Sequence, residues 1–216
     1  MEVINLSEVN SLMSTFIQEI RDVNVQTDRM RFRRNVERVG EIMAYEMSKR
    51  FPFRKVETVT PLGKSNGFGL VEQPVLATIL RAGLPMHMGF LNYFDHGDNA
   101  FISAYRKHTN EEDFEVEIEY LSSPKIDNRI LIINDPMLAT GASMVLGYQA
   151  MLSKGKPKEV HIASIIASKQ GVEYLRSMVP ENATFWVGAI DDELSAQSYI
   201  IPGLGDAGDL AFGKKE

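Results

Sequence analysis

The sequence predicts an α/β fold with a doubly wound parallel sheet, and three features carry that expectation. Ile130, Leu131, Ile132 and Ile133 stand in a row without polar alternation, which suits a short strand covered on both faces. Residues 74–80 and 159–167 repeat that character. Helical patterns alternate with these strands, and such alternation favours right-handed crossovers between parallel neighbours.

At 216 residues the chain suits one domain, 1–216, able to bury a full core without disulfides or metals. Apolar residues make up 44% and charged residues 24%, close to an ordinary globular average. There is no cysteine, which removes disulfide frameworks and thiolate metal sites. The net charge of −6 argues against a nucleic-acid partner, whose phosphates need a broad basic footprint. No apolar run approaches the roughly 18 residues of a membrane span, and Met1-Glu2-Val3-Ile4-Asn5 lacks the basic start of a signal peptide. A cytoplasmic protein without a membrane partner is the expectation.

Taken in order, residues 7–22 carry Val9, Leu12, Met13, Phe16, Ile17 and Ile20 at helical spacing, with Ser7 and Glu8 as the expected start. A second helix is expected over 28–50, its apolar stripe being Phe32, Val36, Val39, Ile42, Met43 and Met47. Arg29, Arg31, Arg33 and Arg34 read as solvated, paired or interface groups rather than catalytic ones. Residues 58–62 read as an edge strand stopped by Pro61, and 63–69 as a turn. The strand at 74–80 ends in Arg81 and a turn containing Gly83. A guanidinium there can offer a planar fork to phosphate oxygens, and glycine lets backbone approach a ligand closely; a salt bridge at a strand end is the plainer alternative.

Residues 101–106 form a further strand, leading into a polar segment at 107–113. Strict alternation at 115–120 signals a strand with one wet face. Together they suggest a β-flap near 103–124 that could close over a ligand, with the acidic run 111–119 solvated and His108 a surface group. Residues 159–167, 169–178 and 184–190 complete a strand, a helix and a strand.

The chain is organised around 130–143. After the aliphatic strand come Asp135 and Pro136, which stops the ladder, then Met137 and Leu138 and the small run Ala139, Thr140, Gly141, Ala142, Ser143. An amphipathic helix follows from Met144. At its first turn the backbone N–H groups are unpaired and the helix dipole is positive, so phosphate is the natural guest. Asp135 could hold sugar hydroxyls or a metal-bound water, or could simply be the helix-entry residue of an ordinary βα turn.

Gly203, Gly205 and Gly208 spell G-x-G-x-x-G, but a dinucleotide fingerprint needs a helix, a second strand and an acidic ribose ligand beyond it, and the sequence stops at Glu216. The segment 199–213 reads instead as a loop whose backbone could match the alternating carbonyl and N–H groups of a small planar molecule. Buried hydrogen-bonding groups discriminate strongly, because the wrong partner leaves them unpaired.

Asp135-Pro136-Met137-Leu138-Ala139-Thr140-Gly141 resembles the phosphoribosyl-binding motif of the uracil phosphoribosyltransferase family. Residues 79–86, Tyr105-Arg106, the 20–34 region and above all Tyr199-Ile200-Ile201-Pro202-Gly203-Leu204-Gly205-Asp206-Ala207-Gly208-Asp209 are similar to other family segments in the family's order. The resemblance implies a phosphoribosyltransferase-type sheet with a flap and a C-terminal base-binding hood: N-terminal helices in 1–50, a core in 51–190 and a uracil-binding segment in 191–216. It implies transfer of phosphoribose from 5-phosphoribosyl 1-diphosphate to uracil N1. Arg81, Arg106 and Asp135 would be catalytic, and with Pro136, Met137, Leu138, Ala139, Thr140, Gly141, Ala142, Ser143 and Asp206 would bind the donor. Tyr199, Ile200, Gly205, Asp206 and Ala207 would line the uracil pocket. Mg²⁺ accompanying the diphosphate, GTP as an allosteric activator and a homo-oligomer, dimer or tetramer, are further implications; no residue is assigned as a metal ligand. The chain departs from the family pattern at Pro85, Ala142 and Leu210, where glycine, glycine and arginine are usual. A nucleotide-sensing regulator on the same fold, and the same reaction with another base, are the alternatives.

Overall fold

The computed structural model describes residues 1–108 and 114–215, with side chains described outside 104–117. An eight-stranded sheet forms its centre. In chain order the elements are β1 (Glu2–Asn5), α1 (Leu12–Arg21), α2 (Arg29–Ser48), β2 (Phe53–Thr60), β3 (Gly63–Leu70), β4 (Val75–Leu80), α3 (Leu84–Leu91), β5 (Asp98–His108), β6 (Phe114–Ser122), β7 (Ile130–Asn134), β8 (Met137–Leu138), α4 (Ala142–Leu152), β9 (Glu159–Ser168), α5 (Lys169–Met178), β10 (Thr184–Asp191), β11 (Glu193–Leu194), β12 (Ile200–Ile201) and α6 (Ala207–Phe212).

The sheet runs β1-β10-β9-β7-β4-β5-β6, with β8 also paired to β9. Every pair is parallel except β5–β6. From β4 the chain moves outward through α3 to β5, and from β7 it moves the other way through α4, β9 and α5 to β10. The winding therefore reverses between β4 and β7. At such a switch point the crevice outside the strand ends is left open for a ligand.

Both faces of the sheet are covered. Ile130 and Ile132 enter one core with Met13, Phe32, Met43 and Phe90, beneath α1, α2, α3 and α6. Leu131 and Ile133 enter the other with Met144, Tyr148, Val172 and Leu175, beneath α4 and α5. Absence of polar alternation in β7 is thus explained by its position, and each fully buried side chain of this kind contributes roughly 1.5–3 kcal/mol.

The structure corrects several expectations. The first helix begins at Leu12, where Ser11 and Ser14 form a capping box, and Leu6–Glu8 is a separate 3-10 turn capped by Asn5. Pro61 and Leu62 are the turn, and 63–70 is a strand: β2 and β3 form an antiparallel hairpin in register from Phe53↔Leu70 to Thr60↔Gly63. Both strands are largely exposed, so no buried face imposed a readable period. Residues 207–212, expected as loop, form α6 with Asp206 as its N-cap. β1, unpredicted, pairs with β10. β5 and β6 pair from Phe101↔Ser122 to His108↔Phe114; residues 109–113 lie outside the described residues, as do the side chains of Arg106, His108 and the acidic run through Glu117.

Candidate active site

Asp135 follows β7 directly, and its N–H still bonds to the Ala163 carbonyl at 3.1 Å. Pro136 lacks a donor, but its carbonyl accepts from both Ile165 and Ile166, at 3.0 and 3.1 Å. Pairing then resumes as β8, Met137 opposite Ile166. The ladder is thus interrupted at Asp135 and Pro136 while the chain stays anchored on both sides.

From Ala139 the chain turns into α4. Ser168 Oγ donates to the Ala139 carbonyl at 2.6 Å and accepts from Gly171 N–H at 2.8 Å, which pins the turn to the start of α5. Gly141 caps α4 with φ at +83°, and a Cβ there would meet the Gly171 carbonyl at 3.0 Å and the Tyr174 ring at 3.1 Å. Glycine is required on both counts. The first helical hydrogen bond runs from Val145 N–H to the Gly141 carbonyl at 3.0 Å, so Ser143 and Met144 keep N–H groups without helical partners. Ala142, where a glycine is usual, is an ordinary first-turn helical residue. Pro85 likewise occupies the first turn of α3, where proline's fixed φ and missing donor fit.

The C-terminal segment supplies the opposite wall. β11 and β12 pair as a small hairpin, closed by Ser195 N–H to the Tyr199 carbonyl at 2.8 Å. Beyond it Gly203 and Gly205 take φ values of +59° and +95°. A Cβ on Gly203 would lie 2.0 Å from the Ile200 carbonyl, whereas Gly205 has nothing within 4 Å. The peptide bonds Leu80–Arg81 and Ile201–Pro202 are cis. Asp206 accepts from Asp209 N–H at 2.9 Å and so starts α6.

A cavity of about 430 Å³ joins these parts. Of the expected residues, Asp135, Met137, Leu138, Ala139, Thr140, Gly141, Ser143, Tyr199, Gly205, Asp206 and Ala207 line it. Pro136, Ala142, Ile200 and Arg81 do not. Ile200 is buried in the core, and Arg81 turns to Asp209 Oδ1 at 3.1 Å and the Gly213 carbonyl at 3.3 Å, its buried Nε without a partner among the described residues. Backbone strand pairing carries Arg106 on β5, but its side chain is outside the described residues.

Sequence reasoning missed Gln197, Ser198, Gly208 and Lys215 on the cavity wall. Ser198, in a left-handed conformation at φ +64°, carried no signal, since serine rarely marks that region. Gly83 also has a packing role that sequence reasoning missed. A Cβ there would strike Thr78 Oγ1 at 2.2 Å and the Ile79 carbonyl at 2.7 Å, so packing beneath the turn by itself demands glycine.

Electrostatics distinguish Asp135. Withdrawal from water raises its carboxyl pKa to about 7; the Met137 N–H opposes that rise, and the neighbouring Asp206 carboxylate adds to it. The group therefore titrates near neutrality, a mark of functional positions.

A crevice at the switch point, with a helix N-terminus beside a carboxylate, is the arrangement of a phosphoribosyltransferase-type fold. The solved adenine phosphoribosyl transferase of Trypanosoma brucei shares this fold, with a TM-score of 0.56 at 12% identity over 87% of this chain and 83% of that one. The structure of the AQ2163 protein from Aquifex aeolicus is nearer, with a TM-score of 0.86, 28% identity and 98% of both chains covered. The family model described as uracil phosphoribosyltransferase matches residues 8–214. A uracil phosphoribosyltransferase of Porphyromonas gingivalis is 57% identical over 215 residues, covering 100% of both chains. The chain belongs to the uracil phosphoribosyltransferase family.

Proposed function

We propose that this chain transfers the 5-phosphoribosyl group of 5-phospho-α-D-ribose 1-diphosphate to N1 of uracil, giving UMP and diphosphate. One observation carries the reading: a single cavity joins the Asp135–Ser143 turn to the Tyr199–Ala207 segment. A phosphate-type site and a surface of exposed backbone thus face the same space.

In this mechanism the amides at the start of α4 receive the 5-phosphate, and Asp135 accepts hydrogen bonds from the ribose hydroxyls. Backbone around Gly205 and Ala207 pairs with uracil's carbonyl and N–H edge, and Asp206 sits between base and donor. N1 attacks the anomeric carbon as the bond to the diphosphate oxygen breaks, and the N1 proton passes to solvent; no side chain is assigned as base. Negative charge gathers on the leaving diphosphate, where Arg81 and Arg106 stabilise it. Arg81 reaches the leaving group by exchanging Asp209 for phosphate. The β5–β6 hairpin serves as the flap that excludes competing water.

Mg²⁺ belongs with the diphosphate as part of the substrate. Asp135 and Asp206 offer hard oxygens to one cavity, yet among the described residues no group of three acidic or histidine side chains could hold a metal alone. That donor set fits an ion that brings water and phosphate oxygens with it, and its charge would neutralise the leaving group.

A homo-oligomer is part of the proposal. Among the described residues the β2–β3 hairpin pairs with no other strand, and it exposes Val59, Leu62 and Phe68 at 79%, 100% and 70%. Apolar groups so displayed suit burial against another copy. No helix among the described residues is long and apolar enough to cross a membrane.

The test is incubation of the purified protein with the donor, Mg²⁺ and labelled uracil, beside cytosine, hypoxanthine and orotate, with and without GTP. UMP formation with uracil alone is the expected result, with GTP as an activator. Turnover of another base, or of none, overturns the assignment.

A further inference from the structure

We propose that Lys215 is a phosphate-binding residue of the donor site, delivered there by a C-terminal segment that two arginines, Arg33 and Arg81, fasten. The proposal rests on reading the cavity as a phosphoribosyl-donor site.

Fastening begins inside α6. Arg33 Nη1 donates to the Ala211 carbonyl at 2.7 Å. Arg81 Nη2 donates to Asp209 Oδ1 and to the Gly213 carbonyl, at 3.1 and 3.3 Å. Gly213 N–H closes the helix on the Asp209 carbonyl at 2.8 Å, and its left-handed φ of +93° then redirects the chain. Arg29 lies alongside, its Nη2 3.3 Å from where a Gly213 Cβ would be.

After that bend, successive side chains separate. Lys214 lines a smaller cavity with Gln26, Thr27 and Arg29, while Lys215 lines the main one. Gly205 and Asp206 border both, so the two lysines reach opposite sides of the same loop.

Charge gives this placement its meaning. Among the described residues lining the main cavity, Asp135 and Asp206 are the acidic side chains and Lys215 is the one Lys or Arg. A donor with a 5-phosphate and a diphosphate is a polyanion, poorly matched to two carboxylates. The compact lysine ammonium, with three donors, is suited to phosphate oxygens. Because the Gly213 carbonyl is bonded to Arg81, the tail that carries Lys215 is also tied to the guanidinium proposed for the leaving group.

The full-length chain with Lys215→Gln or Lys215→Arg tests this. Initial rates with uracil, donor and Mg²⁺ are paired with calorimetric binding of inorganic diphosphate with Mg²⁺, and of ribose 5-phosphate. Loss of one charge-assisted contact at a solvent-facing position predicts about a 10-fold rise in the donor KM, with uracil KM unchanged and Lys215→Arg restoring most of the affinity. Weaker binding of one probe identifies which phosphate the ammonium meets. Donor KM within twofold of the parent, with both probes bound as before, overturns the proposal. An unmodified chain that forms no UMP removes the activity reading instead, and the two binding arms still decide Lys215.

Discussion

Arg21 grips Asp191 with both guanidinium nitrogens, at 2.7 and 2.8 Å, and the same carboxylate accepts the Gly203 N–H at 3.0 Å. Arg21 Nη1 also donates to the Gly203 carbonyl at 3.0 Å. The end of α1, the end of β10 and the glycine loop are thereby joined through one mostly buried pair. Arg21→Ala leaves Asp191 without its counter-charge, and is expected to cost about 2–3 kcal/mol and to raise uracil KM more than donor KM. Thermal unfolding and initial rates measure this; equal rises in both constants would mean that the clamp does not act through the base loop.

The pKa of Asp135, raised to about 7, makes a signed prediction. In the unfolded chain the carboxyl titrates near 3.8, so between these values the folded state holds the extra proton. Stability from this group is full below about pH 4 and is lost as pH rises through 7. Asp135→Asn is therefore expected to stabilise the ligand-free protein at pH 8, by roughly 1 kcal/mol after allowance for solvent at the cavity mouth, and to do nothing comparable at pH 4. Donor affinity in the parent should rise with pH through the same interval, because the ionised form accepts from the ribose. Melting curves and donor titrations at several pH values check both halves.

Arg81→Ala and Arg106→Ala are each expected to lower kcat by about 100-fold or more, the cost seen when a charge-stabilising donor is removed. For Arg81 a second comparison is informative, since its Nη2 bonds Asp209 and Gly213. Asp209→Asn should loosen the tail while sparing the guanidinium, so its kcat should fall far less than that of Arg81→Ala. Equal losses would assign Arg81 to tethering alone.

Gly141→Ala combines a positive φ with close approach to Gly171 and Tyr174. A loss of about 1–3 kcal/mol and weaker donor binding are expected, measured by unfolding and by donor titration. A variant with unchanged donor affinity would show that the turn's shape is not needed for phosphate.

Legibility followed burial. β4, β7, β9 and β10 were readable because short apolar runs without alternation suit strands covered on both faces, and α2 because its apolar stripe keeps helical spacing. Of the β2–β3 hairpin only 58–60 was read as strand, since the rest is exposed and carries no periodic pattern. Asp135, Gly141 and Asp206 could be placed in one site from motif resemblance. Arg21 and Lys215 could not: their partners lie 170 residues away or across a fold-dependent cavity, and neither distance is written locally. Gly83 shows the opposite difficulty, a glycine visible in sequence whose reason, the Thr78 hydroxyl beneath it, appears only in three dimensions.

At Gly205 the wall of the cavity is naked main chain, with no atom within 4 Å of an added Cβ. On the proposed reading, peptide groups at that point offer no side chain to swap, so single-codon changes to which nucleobase is accepted would act through neighbours on the same wall, Tyr199, Asp206 and Ala207.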